Sequence, residues 1–253
     1  MWKSIKSLFF KEEPYINFKA VYGDWSIATP VLPMSKFKTK WQTAQSKETS
    51  ISHCPGMGDY LSSGYIITAH VDFHIKANRA GVSIMVRNSG TDYLPDCLKP
   101  NDILDPTFVK GIYKPIDNVK PQVRKLNLPW LVTTPPGYSV YSLPCLLQAE
   151  YLDKITVWPG VVDTDNFHFV NFIFSVNQEC EFVIPAGAPL LHVIPFKRET
   201  FRGETGKATE KEADIYKYHM VSRVTQVYRK FFHSKKKFEM TGSDKPRYNK
   251  ERE

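Results

Sequence analysis

The chain has 253 residues, 42% hydrophobic and 24% charged, with a formal net charge of +8. That length and apolar content suit one large β domain, or one domain with extensions. No apolar run approaches the roughly 20 residues of a membrane-spanning helix. The four cysteines (Cys54, Cys97, Cys145 and Cys180) are far apart and form no CxxC pair, which argues against a zinc ribbon or a disulfide framework.

Sixteen Phe, 13 Tyr and 5 Trp accompany 18 Pro, the balance of many short strands joined by proline-bearing turns. The charge is uneven. Residues 1–50 carry 8 Lys and Arg against 4 Asp and Glu, and residues 197–253 carry 16 against 9. Residues 51–196 carry 10 against 13. A mildly acidic body with basic ends is expected, and the carboxy-terminal basic tail is a candidate for weak contact with nucleic acid or another anionic surface.

The opening MWKSIKSLFF lacks the roughly 7–15-residue apolar core and the small-residue cleavage site of a secretory signal. It reads as a short amphipathic turn packed on the domain of a soluble, intracellular protein. Extended segments follow at Tyr15–Val21 and Trp25–Leu32, and Lys36–Lys40 fits a lysine-protected edge strand. His53–Gly56 reads as a turn. Strands are expected from Gly64 to Ile67, through Val71–Ile75, and over Val82–Val86 after an Asn78–Gly81 turn. Residues 88–128, with prolines at 95, 100, 106, 115 and 121, read as a long loop excursion containing a short strand at Phe108–Ile112.

Residues 130–134 and 138–143 are expected to form a hairpin through Pro135-Pro136-Gly137. Ile155–Trp158, Phe167–Val176, Phe182–Ile184 and Leu190–Phe196 complete the strands, Phe167–Val176 having two apolar faces as a central strand would. Gly203–Thr209 is a polar linker. Glu210–Lys237 reads as an amphipathic helix, because Ile215, Tyr218, Val221, Val224 and Tyr228 recur at three- and four-residue spacing. Its apolar stripe needs either the protein's own sheet or a second subunit. The organisation is thus an extended amino-terminal region (1–50), a β core (51–200), a linker with the helix (201–240) and a disordered basic tail (241–253).

Two groups of residues carry chemistry. His70, Asp72 and His74 alternate on one strand face, opposite Val71, Phe73 and Ile75. Two imidazoles and a carboxylate suit a divalent metal, and with His192 and Arg202 they resemble the facial triad of iron- and 2-oxoglutarate-dependent oxygenases, also jelly rolls. The competing reading is a polar outer strand face, and no cofactor is the primary expectation. Asp163 and Asp165 are paired carboxylates suited to a general base, or else turn residues bonding their own backbone.

The central block resembles the dUTPase superfamily. Pro136-Gly137-Tyr138 is similar to its turn before a tyrosine. Gly160-Val161-Val162-Asp163-Thr164-Asp165 is similar to its glycine-hydrophobic-aspartate motif, and Gly187–His192 falls where its last motif would lie. The resemblance places Asp163 at the water-activating carboxylate. Its serine motif is replaced by Leu143-Pro144-Cys145, its stacking tyrosine by Asn166 and its Gly-Asp-Arg turn by Gly187-Ala188-Pro189. The resemblance therefore implies a β-clip shape more than an activity. A longer stretch, about residues 50–240, resembles an uncharacterised family of bacteria and their phages. It is carried by Cys54-Pro55, Gly64-Tyr65-Ile66, Thr134–Tyr138, Gly160–Asp165, Gly187–Pro189, Pro195–Arg198 and Ser222-Arg223.

The expectation is therefore a mostly β protein, an antiparallel sandwich or jelly roll of β-clip type with a carboxy-terminal amphipathic helix. It would act without catalysis, by binding or assembly, as a homo-oligomer or with an assembly partner through that helix. Its place would be the cytoplasm of a bacterial host, or a virion. The alternatives are a dUTPase-like nucleotide hydrolase centred on Asp163 and an oxygenase using His70, Asp72 and His192.

Overall fold

The computed structural model describes residues 13–21, 29–37, 54–87, 102–104, 123–146, 151, 153–221, 228–234 and 238–240. In chain order the strands are β1 Asn17–Ala20, β2 Leu32–Pro33, β3 Tyr65–Thr68, β4 Asp72–Asn78, β5 Gly81–Arg87, β6 Asp102–Leu104 and β7 Val123–Leu126. Then come β8 Trp130–Thr133, β9 Tyr138–Pro144, β10 Ile155–Val157, β11 Gly160–Val162, β12 Phe172–Val176, β13 Cys180–Ile184 and β14 Pro189–Lys197. Among the described residues, helices α1 Pro55–Tyr60 and α2 Glu210–Val221 join a 3-10 turn at Met34–Lys36 and a π turn at Tyr228–Phe232.

The strands pair antiparallel in the orders β11-β9-β14-β3-β2, β10-β12-β7-β6, β13-β4-β5 and β1-β8. The longest strand, β14, pairs β9 from Leu191 to Lys197 and β3 from Pro189 to Val193. On its inner side Val140, Leu191 and Val193 pack in one core with Phe73 and Ile75 of β4 and Phe172 and Phe174 of β12. This is an antiparallel β-sandwich. The outer face of the same sheet is covered at one end. There Ile66 and Cys145 are sealed by Met34 of the 3-10 turn and by Leu61 after α1.

Strand alternation explains most of these placements. In β4, Phe73, Ile75 and Ala77 are buried while Asp72, His74, Lys76 and Asn78 point outward. The β4–β5 turn is held by Asn78, whose side-chain oxygen accepts from the amides of Ala80 (2.9 Å) and Gly81 (3.2 Å).

Several expectations are corrected. Pro135-Pro136-Gly137 does turn the chain, with the Tyr138 amide donating to the Pro135 carbonyl at 3.1 Å. The flanking strands, however, are not a hairpin. β8 pairs with β1, and β9 pairs with β11 and β14, so the turn is a corner between sheets. The strand expected from Phe167 begins at Phe172. Before it the chain makes a tight turn, in which the amides of Asn166 and Phe167 both donate to the Asp163 carbonyl, and then crosses between sheets. Val170 is buried at the crossing while Phe167 and Phe169 stay exposed, so the apolar run continues without a ladder.

The segment read as a turn at His53–Gly56 opens α1 instead. Pro55 sits in its first turn, where it has no amide to waste, and Met57 and Tyr60 pack on the outer cluster. Lys36 ends the 3-10 turn and is not in a strand. Residues 25–28 of the second extended segment, residues 38–40 of the edge strand, the strand Phe108–Ile112, Cys97, the amino-terminal turn and the tail 241–253 lie outside the described residues.

After β14 the chain leaves the sandwich. Glu199–Thr209 has no regular structure and is exposed at every residue. Thr209 then starts α2 with a reciprocal cap: the Thr209 amide donates to the Glu212 carboxylate (2.7 Å), and the Glu212 amide to the Thr209 hydroxyl (3.3 Å). On α2, Ile215, Tyr216 and Tyr218 are 49%, 66% and 68% exposed. The chain returns at His233, whose Nε2 is 2.7 Å from the Asp59 carboxylate, and at Phe238, which packs on Tyr65. The Tyr65 hydroxyl donates to the Glu239 carbonyl.

Two outcomes follow for stability. Phe174→Ala should cost about 3–5 kcal/mol, as for other fully buried Phe side chains, read from the denaturant midpoint at unchanged slope. Gly64→Ala should cost more than the ~1–2 kcal/mol of a left-handed residue alone. Gly64 has φ +70°, and an added Cβ would meet the Val193 carbonyl oxygen at 2.3 Å, which is backbone and cannot swing aside.

Candidate functional site

The densest polar cluster lies where three chain segments meet: the Pro135–Ser139 corner, the Asp163–Phe167 turn and the end of β14. The register places them there. Asp163 follows Val162, which pairs with Val140, and Ser139 lies across from Phe196, two residues before Arg198. Arg198 grips Asp165 with both terminal nitrogens, Nη1 lying 2.9 Å from Oδ1 and Nη2 bonding Oδ2. Nη1 also donates to the Ser139 hydroxyl at 3.0 Å and lies 3.3 Å from Oδ1 of Asp163. Ser139 donates its hydroxyl to that same Oδ1 at 2.6 Å. The Gly137 amide donates to Asp165 Oδ2 at 2.9 Å, and the Arg198 amide to the Gly137 carbonyl at 2.8 Å. Beneath them the hydroxyls of Thr134 and the fully buried Thr164 lie 2.7 Å apart.

The two aspartates have different surroundings. The Asp165 side chain is only 7% exposed, and the Arg198 guanidinium, followed by the Gly137 amide, lowers its carboxyl from 3.8 to about 2. Asp163 is 59% exposed, and Ser139 and Arg198 both act on its Oδ1. One guanidinium against two carboxylates leaves an excess of negative charge. Asp165 is thus a clamp whose bonds stay within the protein, and Asp163 is the member that meets solvent.

No protein-family model and no curated protein matches this chain.

The other candidate residues are dispersed. Among the described residues no group of three or more His, Cys, Asp and Glu side chains is placed to hold a metal ion. His70 precedes β4 in a bend, so strand alternation does not apply to it. It is buried with its ring edge-on to Phe73, and burial lowers its pKa to about 4. The Asp72 carboxylate accepts from the Ala186 amide at 2.7 Å and ties down the Pro185–Ala188 turn. His74 stands on the outer face of its sheet, in register with exposed Val183 and Met85. His192 lies on the five-stranded sheet, fully buried against Tyr60, and donates through Nε2 to the Ser63 carbonyl. Arg202 is exposed in the segment after β14. Asp72 and His74 thus share the outer face of β4, His70 is buried before that strand, and His192 lies on the five-stranded sheet.

Asp163 and Asp165 are legible as a pair from their spacing. Ser139, Gly137 and Arg198 carry no such local signal for the site. Arg198 follows the end of a strand and Ser139 lies near the start of one, so only the pairing of β9 with β14 brings them to the aspartates.

The clamp has a pH signature. Asp165 is held ionised below its ordinary range, so its contribution is complete above about pH 4 and is lost as pH falls toward about 2. Asp165→Asn should lower the melting temperature at pH 7 and flatten the acid limb between those values. An acid limb as steep as that of the unmodified protein would remove Asp165 as its source. Gly137→Ala is the matched backbone change. At φ +82° with no atom within 4 Å, it should cost only the ~1–2 kcal/mol of a left-handed residue.

Proposed function

We propose that this protein acts by binding and assembly rather than by catalysis. It is a β-clip-type body, phage-encoded as the family resemblance implies, that carries a carboxy-terminal helix for contact with another subunit. The observation that supports this most is the placement of α2. An exposed segment of 11 residues (199–209) leads to it, and beyond it His233 and Glu239 contact the body. Among its described side chains Ile215 is 49% and Tyr218 68% exposed. Apolar helix residues held off their own core are what an assembling chain offers a partner.

The corner cluster fits a structural role better than phosphate chemistry. A nucleotide triphosphate needs unspent positive charge and donors. Here the cation is bound by two carboxylates, and the remaining negative charge repels phosphate. The second reading, a divergent nucleotide hydrolase, rests on Asp163 being exposed beside a serine and an arginine.

Light scattering on the full chain tests the first reading. The protein should exceed the mass of one chain, and Ile215→Glu with Tyr218→Glu should reduce it to one chain while the far-ultraviolet β signal stays. A single-chain mass before and after substitution rejects self-assembly through α2. For the hydrolase, incubation with a panel of nucleoside triphosphates should give no turnover; turnover abolished by Asp163→Asn would reverse the order of the two readings.

A further inference from the structure

The outer cluster is deeply buried, yet the helix that covers it is weak. Met34, Ile66 and Cys145 are fully buried there, whereas none of the six residues of α1 is itself buried. Two of the six, Gly56 and Gly58, are the poorest helix formers after proline. Cys54 at the helix start makes no side-chain cap bond, and a helix this short does not persist without tertiary support. Part of that support lies beneath it. Met57 and Tyr60 pack on the cluster, and the Tyr60 ring meets buried His192 edge-on at 4.8 Å.

Further support comes from the far end of the chain, where residues 228–234 and 238–240 reach the body at two places. At the first, the His233 amide donates to the Tyr228 carbonyl at 2.9 Å, across the π turn. The imidazole Nε2 then lies 2.7 Å from the Asp59 carboxylate of α1, and the two side chains are about four-fifths buried. At the second, the Tyr65 ring meets Phe18 at 5.2 Å and Phe238 at 5.9 Å, and the Tyr65 hydroxyl donates to the Glu239 carbonyl at 3.2 Å. Tyr65 and Ile66 are successive residues of β3 and face opposite sides of the sheet. The carboxy-terminal segment thus holds β3 directly on the core side and, through α1, on the outer side.

We infer that this segment is a strap that keeps α1 closed over the outer cluster, and that strap and helix open as one unit while the sandwich stays folded. The inference stands independently of the assembly reading above. Opening the unit breaks the two strap anchors and the contacts beneath α1, whereas unfolding the sandwich also breaks the ladders of β9, β14 and β3. The Asp59–His233 pair is the latch, and Cys145 is the marker, since it becomes accessible when α1 lifts.

Labelling of the full chain with N-ethylmaleimide reads the opening, the modified cysteine being assigned by peptide mass. The Cys145 rate should change little with denaturant well below the unfolding transition, while amide exchange in β12 climbs steeply. His233→Ala should raise the Cys145 rate roughly 10-fold, the effect of losing one partly buried bond to a carboxylate. Asp59→Asn should raise it too, and the double variant should fall short of the product of the two effects. Phe238→Ala, at the other anchor, should also raise it, which a role for His233 confined to α1 would not produce. A Cys145 rate as steep in denaturant as β12 exchange overturns independent opening. A rate unmoved by His233→Ala, or a double variant equal to the product, overturns the latch. A rate unmoved by Phe238→Ala overturns the strap as a unit.

Discussion

The bond between Arg198 and Asp165 ties together segments that are remote in sequence. The Pro135–Ser139 corner redirects the chain from one sheet to another, and the Asp163–Phe167 turn does the same on the way to β12. Each change of sheet leaves backbone groups with no ladder to join, and each must find a partner elsewhere. Asp165 accepts the Gly137 amide, and the Arg198 backbone donates to the Gly137 carbonyl. The guanidinium then spans Asp165, Ser139 and Asp163. A pair of opposite charges at the surface contributes little by itself. Here the pair is bidentate, one partner is 7% exposed, and a backbone amide shares the carboxylate, the geometry in which charge-assisted bonds specify structure.

That constraint also decides how the site reads. A carboxylate positioned for general-base chemistry must be aimed at a substrate or a water, whereas Asp165 has its oxygens engaged by the protein. Asp163 stays in solvent because the turn that follows uses its carbonyl, not its carboxylate, to bind Asn166 and Phe167. The pair seen in the sequence is therefore two residues with separate tasks, one structural and one facing outward.

Local patterns are legible in the sequence wherever they are also local in cause. Alternation in β4 separates Phe73 and Ile75 from Asp72 and His74 without knowledge of the fold. The Asn78–Gly81 turn and Pro135-Pro136-Gly137 are marked by residues whose backbone preferences act within three positions. Partners are not legible, because pairing is long-range. β8 and β9 flank a good turn yet join different sheets, and an apolar run from Phe167 to Val176 contains both a crossing and a strand. His70 departs from the pattern by one bend. Alternation assigns it to the face of Asp72 and His74, but it precedes the strand and turns inward. Arg198 and Ser139 can be assigned to the corner only once β9 is known to lie against β14.

α2 presents the remaining physical problem, since a helix needs a reason to stay formed when an apolar side chain such as Ile215 is half exposed. A helix of 12 residues is marginal alone, because nucleation is unfavourable and propagation adds little per residue. The Thr209–Glu212 cap supplies donors and acceptors for the first turn, and Glu210 and Glu212 lie at the positive end of the helix dipole. Exposed to solvent, these interactions bias the segment toward helix without holding it against fraying. A surface that buries Ile215 and Tyr218 adds the packing energy from which most protein helices draw their stability. In the proposed assembly, helix formation and contact with a partner are one equilibrium, and the cap reduces the ordering cost of that contact. Arg198, bound to Asp165 before the helix, and His233, paired with Asp59 after it, tie the chain to the sandwich on either side of α2 in sequence.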